Sequence, residues 1–170
     1  MVVIVYTGTG PGKTCAALGI ALRALGHRKR VVVVQFMKWW KDTGEYKIAK
    51  RLGKSLVIRQ FGRKGWIGLR NLTAEDRKLA QRALAFAKQT LAEKPDLLIL
   101  DEINLAARIG LLDKKEVLEF LDTIPKEVTV YLTGRYAPKE FIKRADYVSE
   151  IKAVKHPPID KEKGKIGIDY

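Results

Sequence analysis

Thr7-Gly8-Thr9-Gly10-Pro11-Gly12-Lys13-Thr14 is the stretch whose reading decides the fold. It follows the apolar run Val2-Val3-Ile4-Val5-Tyr6 and precedes a helical stretch, Thr14 to Leu25, that Gly26 stops. A buried strand, a Gly-rich turn and a helix in that order form a phosphate-binding loop. The glycines let backbone N–H groups turn toward an anion, and the helix N-terminus adds the positive end of its dipole. Lys13 supplies a mobile cation, and the Thr14 hydroxyl is placed to bind magnesium. The pattern G-x-x-x-x-G-K-[ST] puts its first Gly where Thr7 stands, but Gly12-Lys13-Thr14 is intact.

Outward from the loop, short β-branched runs alternate with helical stretches. Val31 to Phe36, Ser55 to Phe61, Leu97 to Leu100, Val128 to Leu132 and Tyr147 to Val154 read as further strands. Thr73 caps a helix whose first turn carries Glu75 and Asp76. Asp113 to Glu116 resembles a capping box ahead of Val117 to Leu121, and Pro138 to Arg144 suits a short helix. The expected fold is α/β, a mainly parallel sheet with helices on both faces. Lys38 to Gly53 and Gly62 to Leu72 are polar and read as surface loops. A single phosphate-loop domain is expected over 1–170, with an extended tail from about residue 155.

The strand Leu97 to Leu100 ends in Asp101-Glu102. Acidic groups at the carboxyl end of a parallel strand face the crevice where ligands bind. Thr14, Asp101 and Glu102 are therefore the candidate magnesium ligands, directly or through water. A phosphate loop with an acidic strand end makes ATP, or another triphosphate, the leading ligand. Arg135 follows Gly134 at another strand end and is placed to reach the nucleotide.

Composition removes several classes of function. Hydrophobic residues are 46% and charged residues 31%, which suits a packed core rather than a disordered chain. No apolar run approaches the roughly 20 residues of a membrane helix, and no basic segment precedes Val2 as in a signal peptide. Cys15 is the one cysteine, so neither an internal disulfide nor a cysteine zinc site is expected. The expected setting is the cytoplasm. Lys plus Arg is 33 against 19 for Asp plus Glu, a net +14 that suits a polyanionic ligand. These charges are spread along the chain, so nucleic acid is not an expected partner.

In its motifs and their order the chain resembles the phosphate-loop type ATP:corrinoid adenosyltransferases, also called cob(I)alamin adenosyltransferases. Thr7 to Thr14 is similar to that family's shortened loop, commonly T-G-N-G-K-G-K-T, so Thr7 is a family feature. Val33-Val34-Gln35-Phe36 with Gly44-Glu45 resembles its second strand and following loop. Leu100-Asp101-Glu102-Ile103-Asn104 resembles its L-D-E-[IL]-[NT] element, and Leu132-Thr133-Gly134-Arg135 its L-T-G-R. Val154-Lys155-His156-Pro157 and Gly167-Ile168-Asp169-Tyr170 resemble its closing segment.

The resemblance implies transfer of the 5′-deoxyadenosyl group of ATP to the cobalt of a reduced corrinoid, with triphosphate leaving. The substrates are ATP and the corrinoid, and magnesium is the cofactor. Cob(I)alamin is itself a strong nucleophile, so the protein must chiefly orient C5′ and stabilise the departing charge. In the family, ATP lies reversed in the loop relative to ordinary ATPases. The implied nucleotide site is Gly8, Thr9, Gly10, Pro11, Gly12, Lys13, Thr14, Cys15 and Arg135. Lys13, Thr14 and Glu102 are the implied catalytic residues. Trp66, Lys155 and His156 are the implied corrinoid contacts. A homodimer and an electron-donor protein are the implied partners.

Some positions depart from the family pattern. Thr9 and Pro11 replace Asn and Lys, and Pro11 lacks a backbone donor. Cys15 replaces a second Thr. Gly65-Trp66-Ile67-Gly68 aligns with Gly-Phe-Thr-Trp, leaving Gly68 in place of the second aromatic. Lys165 replaces a Gln. Trp39 and Trp40, between Lys38 and Lys41, either stack on a flat ligand or anchor their loop. Asn104 either supports the metal or caps a helix. Two rival functions stay open: a nucleic-acid-stimulated ATPase, and a nucleotide or corrinoid carrier without turnover.

Overall fold

The computed structural model describes residues 1–64, 71–156 and 165–168. Its strands are β1 (Val2–Thr7), β2 (Val31–Phe36), β3 (Leu56–Phe61), β4 (Leu97–Asp101), β5 (Thr129–Thr133) and β6 (Tyr147–Glu150). They pair in parallel in the order β3-β2-β4-β5-β1-β6. Parallel neighbours need crossover connections, which helices supply. These are α1 (Lys13–Gly26), α2 (Gly44–Leu52), α3 (Ala74–Thr90), α4 (Ile103–Arg108), α5 (Lys114–Asp122) and α6 (Lys139–Arg144).

The strands sort their side chains by parity. Val31, Val33, Leu97 and Ile99 pack with Ala17 and Ala21 of α1 and Ala49 of α2. Val32, Val34, Leu98 and Leu100 pack with Ala83 and Leu84 of α3, Leu121 of α5 and Phe141 of α6. Every residue of β2 and β4 is buried, because helices cover both faces of the sheet centre. The expected α/β fold with a parallel sheet is what the chain adopts. Phe141 is fully buried, which contributes about 1.5–3 kcal/mol and fixes α6 on the sheet.

The strand order has one consequence for the site. β5 lies between β1, which carries the phosphate loop, and β4, which carries Asp101. The end of β5 is therefore wedged between loop and carboxylate, and that end is Thr133.

Three local expectations need correction. Lys38 to Gly53 is not all loop: Gly44–Leu52 forms α2, with Glu45 in its first turn and Lys50 and Arg51 in its last. Those charges match the helix dipole and were the available signal. The last strand ends at Glu150, not Val154, because β1 ends at Thr7 and offers no further edge. The capping box at Asp113 is half made. Asp113 accepts from the Lys115 N–H at 2.8 Å, while Glu116 accepts from Gln81 and Lys88 of α3. At Thr73 the box is reciprocal, with Asp76 as its second member.

Candidate active site

The phosphate loop joins β1 to α1 and is held from behind by the chain that follows β6. The Ile151 N–H donates to the Thr7 carbonyl at 2.8 Å, and the Gly10 N–H donates to the Ile151 carbonyl at 2.9 Å. A Cβ at Gly10 would lie 2.7 Å from the backbone of Lys152, so only glycine permits this approach. Gly10 thus serves the strap: its N–H is committed within the protein and is not turned toward an anion. Gly12 has a different reason. It sits at φ 95° as the residue before α1, a left-handed conformation that side chains resist.

Lys13 opens α1 and is 5% exposed. Its Nζ donates to the Gly10 carbonyl at 2.6 Å, folding the side chain back over the loop. Burial holds its pKa below the ordinary lysine value, and Glu102 opposes part of that shift.

Asp101, at the end of β4, is completely buried. Its Oδ1 accepts from Thr133 at 2.6 Å and from Thr14 at 2.9 Å. Its Oδ2 accepts from Lys38 at 2.7 Å and from Gln35 at 3.2 Å. Burial alone would raise the carboxyl pKa, but the Lys38 charge and these hydrogen bonds outweigh it and hold it below the ordinary value. Lys38 shows the reciprocal effect. Burial lowers its pKa, and Asp101 more than restores it. Lys38 Nζ also donates to the Thr14 hydroxyl oxygen at 3.2 Å.

Glu102 follows in a left-handed conformation, φ 66°. Its N–H donates to the Thr133 hydroxyl oxygen at 3.1 Å. Burial first, and then the charge of Asp101, raise its pKa. Its Oε2 is buried without a hydrogen-bonding partner among the described residues. This bare carboxylate oxygen and the Thr14 hydroxyl, on two residues that line one cleft, are hard oxygen donors of the kind that suits magnesium. Asp101 is less free, since both its oxygens already accept two hydrogen bonds each.

These groups meet at the carboxyl edge of the sheet in an open cleft of about 520 Å³. Gly10, Pro11, Gly12, Lys13, Thr14, Cys15, Glu102 and Arg135 all line it. Gly8 is buried behind the loop, Thr9 points to solvent, and neither lines the cleft. Lys155 and His156 are exposed and do not line it. Trp66 and Gly68 lie outside the described residues.

The structure adds residues that motif reading passed over. By motif Lys38 is no more than a neighbour of the Trp pair. Its position just past the end of β2 was the usable signal, since parallel strand ends share one edge. Trp39 and Trp40 both line the cleft and stay 37% and 44% exposed. Gln60 donates to the carbonyl of Trp40 at 3.0 Å and to Oε1 of Gln35 at 2.9 Å. Gln35 in turn reaches Asp101, so the Trp loop is tied to the buried carboxylate. Asn104 does not cap a helix; Glu102 holds the N-cap position of α4 and Asn104 lies inside it. It is fully buried, and its Nδ2 donates to the carbonyls of Tyr6 and Leu132 at 3.2 and 3.3 Å, joining β1 to β5.

The arrangement can hold a polyphosphate among Lys13, Lys38 and Arg135, with Thr14 and Glu102 beside it. The family model described as ATP:corrinoid adenosyltransferase BtuR/CobO/CobP matches residues 1–170. A corrinoid adenosyltransferase of Escherichia coli strain K12 is 36% identical over 170 residues, covering 99% of this chain and 85% of that protein. Corrinoid adenosyltransferase CobA of Salmonella typhimurium has the same identity and coverage. A corrinoid adenosyltransferase of Pseudomonas aeruginosa is 35% identical over 171 residues, covering 99% and 83%. Among solved structures, the flagellar accessory protein FlaH of Methanocaldococcus jannaschii superposes with a TM-score of 0.60 at 15% identity. That match covers 88% of this chain and 70% of FlaH, and it speaks for the fold alone. With its phosphate loop, its acidic strand end and a family match along its whole length, the chain belongs to the ATP:corrinoid adenosyltransferase family.

Proposed function

We propose that this protein transfers the 5′-deoxyadenosyl group of ATP to the cobalt of a reduced corrinoid and releases triphosphate. The observation that carries the reading is the convergence of Lys13, Lys38 and Arg135 on the cleft that Thr14 and Glu102 also line. Three cations suit a leaving group whose negative charge grows as the C5′–O bond breaks. Lys13 leaves its internal partner, the Gly10 carbonyl, for a phosphate oxygen. Thr14 and Glu102 would hold magnesium, which when bound neutralises further phosphate charge. Trp39 and Trp40 wall the cleft and exclude water from one side of the nucleotide. The corrinoid is placed at the outer edge, with Trp66, Lys155 and His156 as its contacts. The reading includes a homodimer, a reductant protein that delivers cobalt(I), and a cytosolic setting.

The test is anaerobic. Protein, magnesium-ATP and chemically reduced cob(I)alamin are mixed, the visible spectrum is followed, and the products are separated by chromatography. The expected products are adenosylcobalamin and triphosphate in equal amounts. ADP and phosphate in place of triphosphate would overturn the proposal and favour an ATPase.

A further inference from the structure

Lys38 already holds the Thr14 hydroxyl, one of the groups that would hold a divalent ion. Its Nζ bridges Oδ2 of Asp101 at 2.7 Å and Oγ1 of Thr14 at 3.2 Å. The Thr14 hydroxyl spends its proton on Asp101, so its oxygen keeps its lone pairs for cations, and Lys38 uses one of them. Asp101 has no further acceptor position open, because Thr14, Thr133, Gln35 and Lys38 take all four.

The backbone that presents Lys38 is built for this placement. Met37 sits at φ 58°, a left-handed conformation unfavourable for a side-chain-bearing residue, and turns the chain off the end of β2 toward β4. Its N–H donates to the Phe61 carbonyl at 2.9 Å. Gly62 packs so closely that a Cβ there would come within 2.5 Å of the Met37 carbonyl carbon. The lysine is therefore directed onto the Thr14–Asp101 pair by a constrained turn, not by a free surface loop.

We infer that Lys38 is the resident cation of the Thr14–Asp101 pair and that it and a divalent metal ion exclude each other there. In metal-free protein the ammonium neutralises the buried carboxylate. Metal alone then competes poorly, since it must displace an ammonium that already pairs with the buried Asp101 carboxylate and holds the Thr14 hydroxyl. When metal arrives with a triphosphate, the phosphate oxygens receive the displaced ammonium. Metal and triphosphate binding are thereby coupled, each improving the other. This rests on the reading of the cleft as a metal–triphosphate site.

Two measurements test it, and neither uses corrinoid. The first is binding of Mn2+ without nucleotide, followed by the electron paramagnetic resonance signal of the free ion. Lys38→Met should bind Mn2+ at least tenfold more tightly than wild type. Lys41→Met, which removes an equal charge from the same loop, should stay within twofold, and adding Asp101→Asn to Lys38→Met should erase the gain. A circular-dichroism melt checks that each variant is folded. The second uses the wild-type protein, so it stands if Lys38→Met does not fold. With 15N-labelled lysine, the Lys38 ammonium resonance should hold its position in magnesium alone. It should move when magnesium and inorganic tripolyphosphate are added together. Unchanged Mn2+ affinity in folded Lys38→Met, or a resonance that ignores magnesium tripolyphosphate, overturns the inference. Absence of adenosyl transfer with both results as expected would overturn only the proposed reaction.

Discussion

Thr133 donates its hydroxyl proton to Oδ1 of Asp101 across 2.6 Å and so joins β5 to β4 beneath the cleft. The same hydroxyl oxygen accepts from the Glu102 N–H at 3.1 Å. One small side chain thus orients the buried carboxylate and steadies the left-handed residue that follows it.

Replacing Thr133 with Val keeps the shape and removes both hydrogen bonds. A buried donor and an acceptor are then left short, and stability should fall by about 1–3 kcal/mol in urea unfolding. Adenosyl transfer should slow roughly tenfold or more, because Glu102 loses its support. Thr133→Ser should retain most of both. Wild-type values in Thr133→Val would remove Thr133 from the site.

Gly10→Ala and Gly12→Ala should fail for different reasons. At Gly10 the methyl group meets the backbone of Lys152 and Ala153, at 2.7 and 2.8 Å. The strap behind the loop must move, at a cost of about 1–3 kcal/mol. Trypsin should then cut at Lys152 and Lys155 sooner. At Gly12 there is open space, and the cost is the left-handed backbone alone, about 1–2 kcal/mol. The strap should keep its resistance in Gly12→Ala. Equal tryptic rates in the two variants would contradict this division.

Arg63 closes the base of the segment that carries Trp66. Its Nε donates to Asp76 at 2.7 Å and its Nη2 to the Asn71 carbonyl at 3.3 Å, bringing together the chain on either side. Arg63→Gln should raise KM for cob(I)alamin several-fold and leave KM for ATP unchanged. Steady-state titration of each substrate separates the two. Equal rises for both would make the clamp a support of the whole fold.

The Asp76 carboxylate gives the fold a pH dependence of known sign. Burial alone would raise its pKa, but hydrogen bonds from Arg63 and Thr73 hold it below its ordinary value of 3.8. A carboxyl group whose pKa falls on folding stabilises the native state above its unfolded pKa. That contribution disappears as pH falls through the folded value. Asp76→Asn should therefore cost about 1–2 kcal/mol at neutral pH. The gap to wild type should narrow once pH drops below 3.8. Urea unfolding at several pH values checks this, and a constant gap would assign the loss to packing rather than charge.

The sequence by itself determined the parts that depend on local pattern. Val31 to Phe36 is apolar at every position but Gln35, and only a strand covered on both faces uses such a run. Gly12-Lys13-Thr14 between a strand and a helix marks a phosphate loop, because backbone conformation, helix dipole and lysine charge all act within eight residues. The closing Asp101-Glu102 was legible for the same reason. What only the tertiary structure decided lies across long separations. That Lys38, Thr14, Gln35 and Thr133 share one carboxylate follows from the order β3-β2-β4-β5-β1-β6, which places four chain segments at one edge. Gly10 reads locally as an anion-binding glycine, yet its N–H belongs to Ile151, far along the chain. The short helix Gly44–Leu52 buries Ala49 alone, with Tyr46 packed partly beside it, so its stability comes from packing on β3 rather than from its own nine residues.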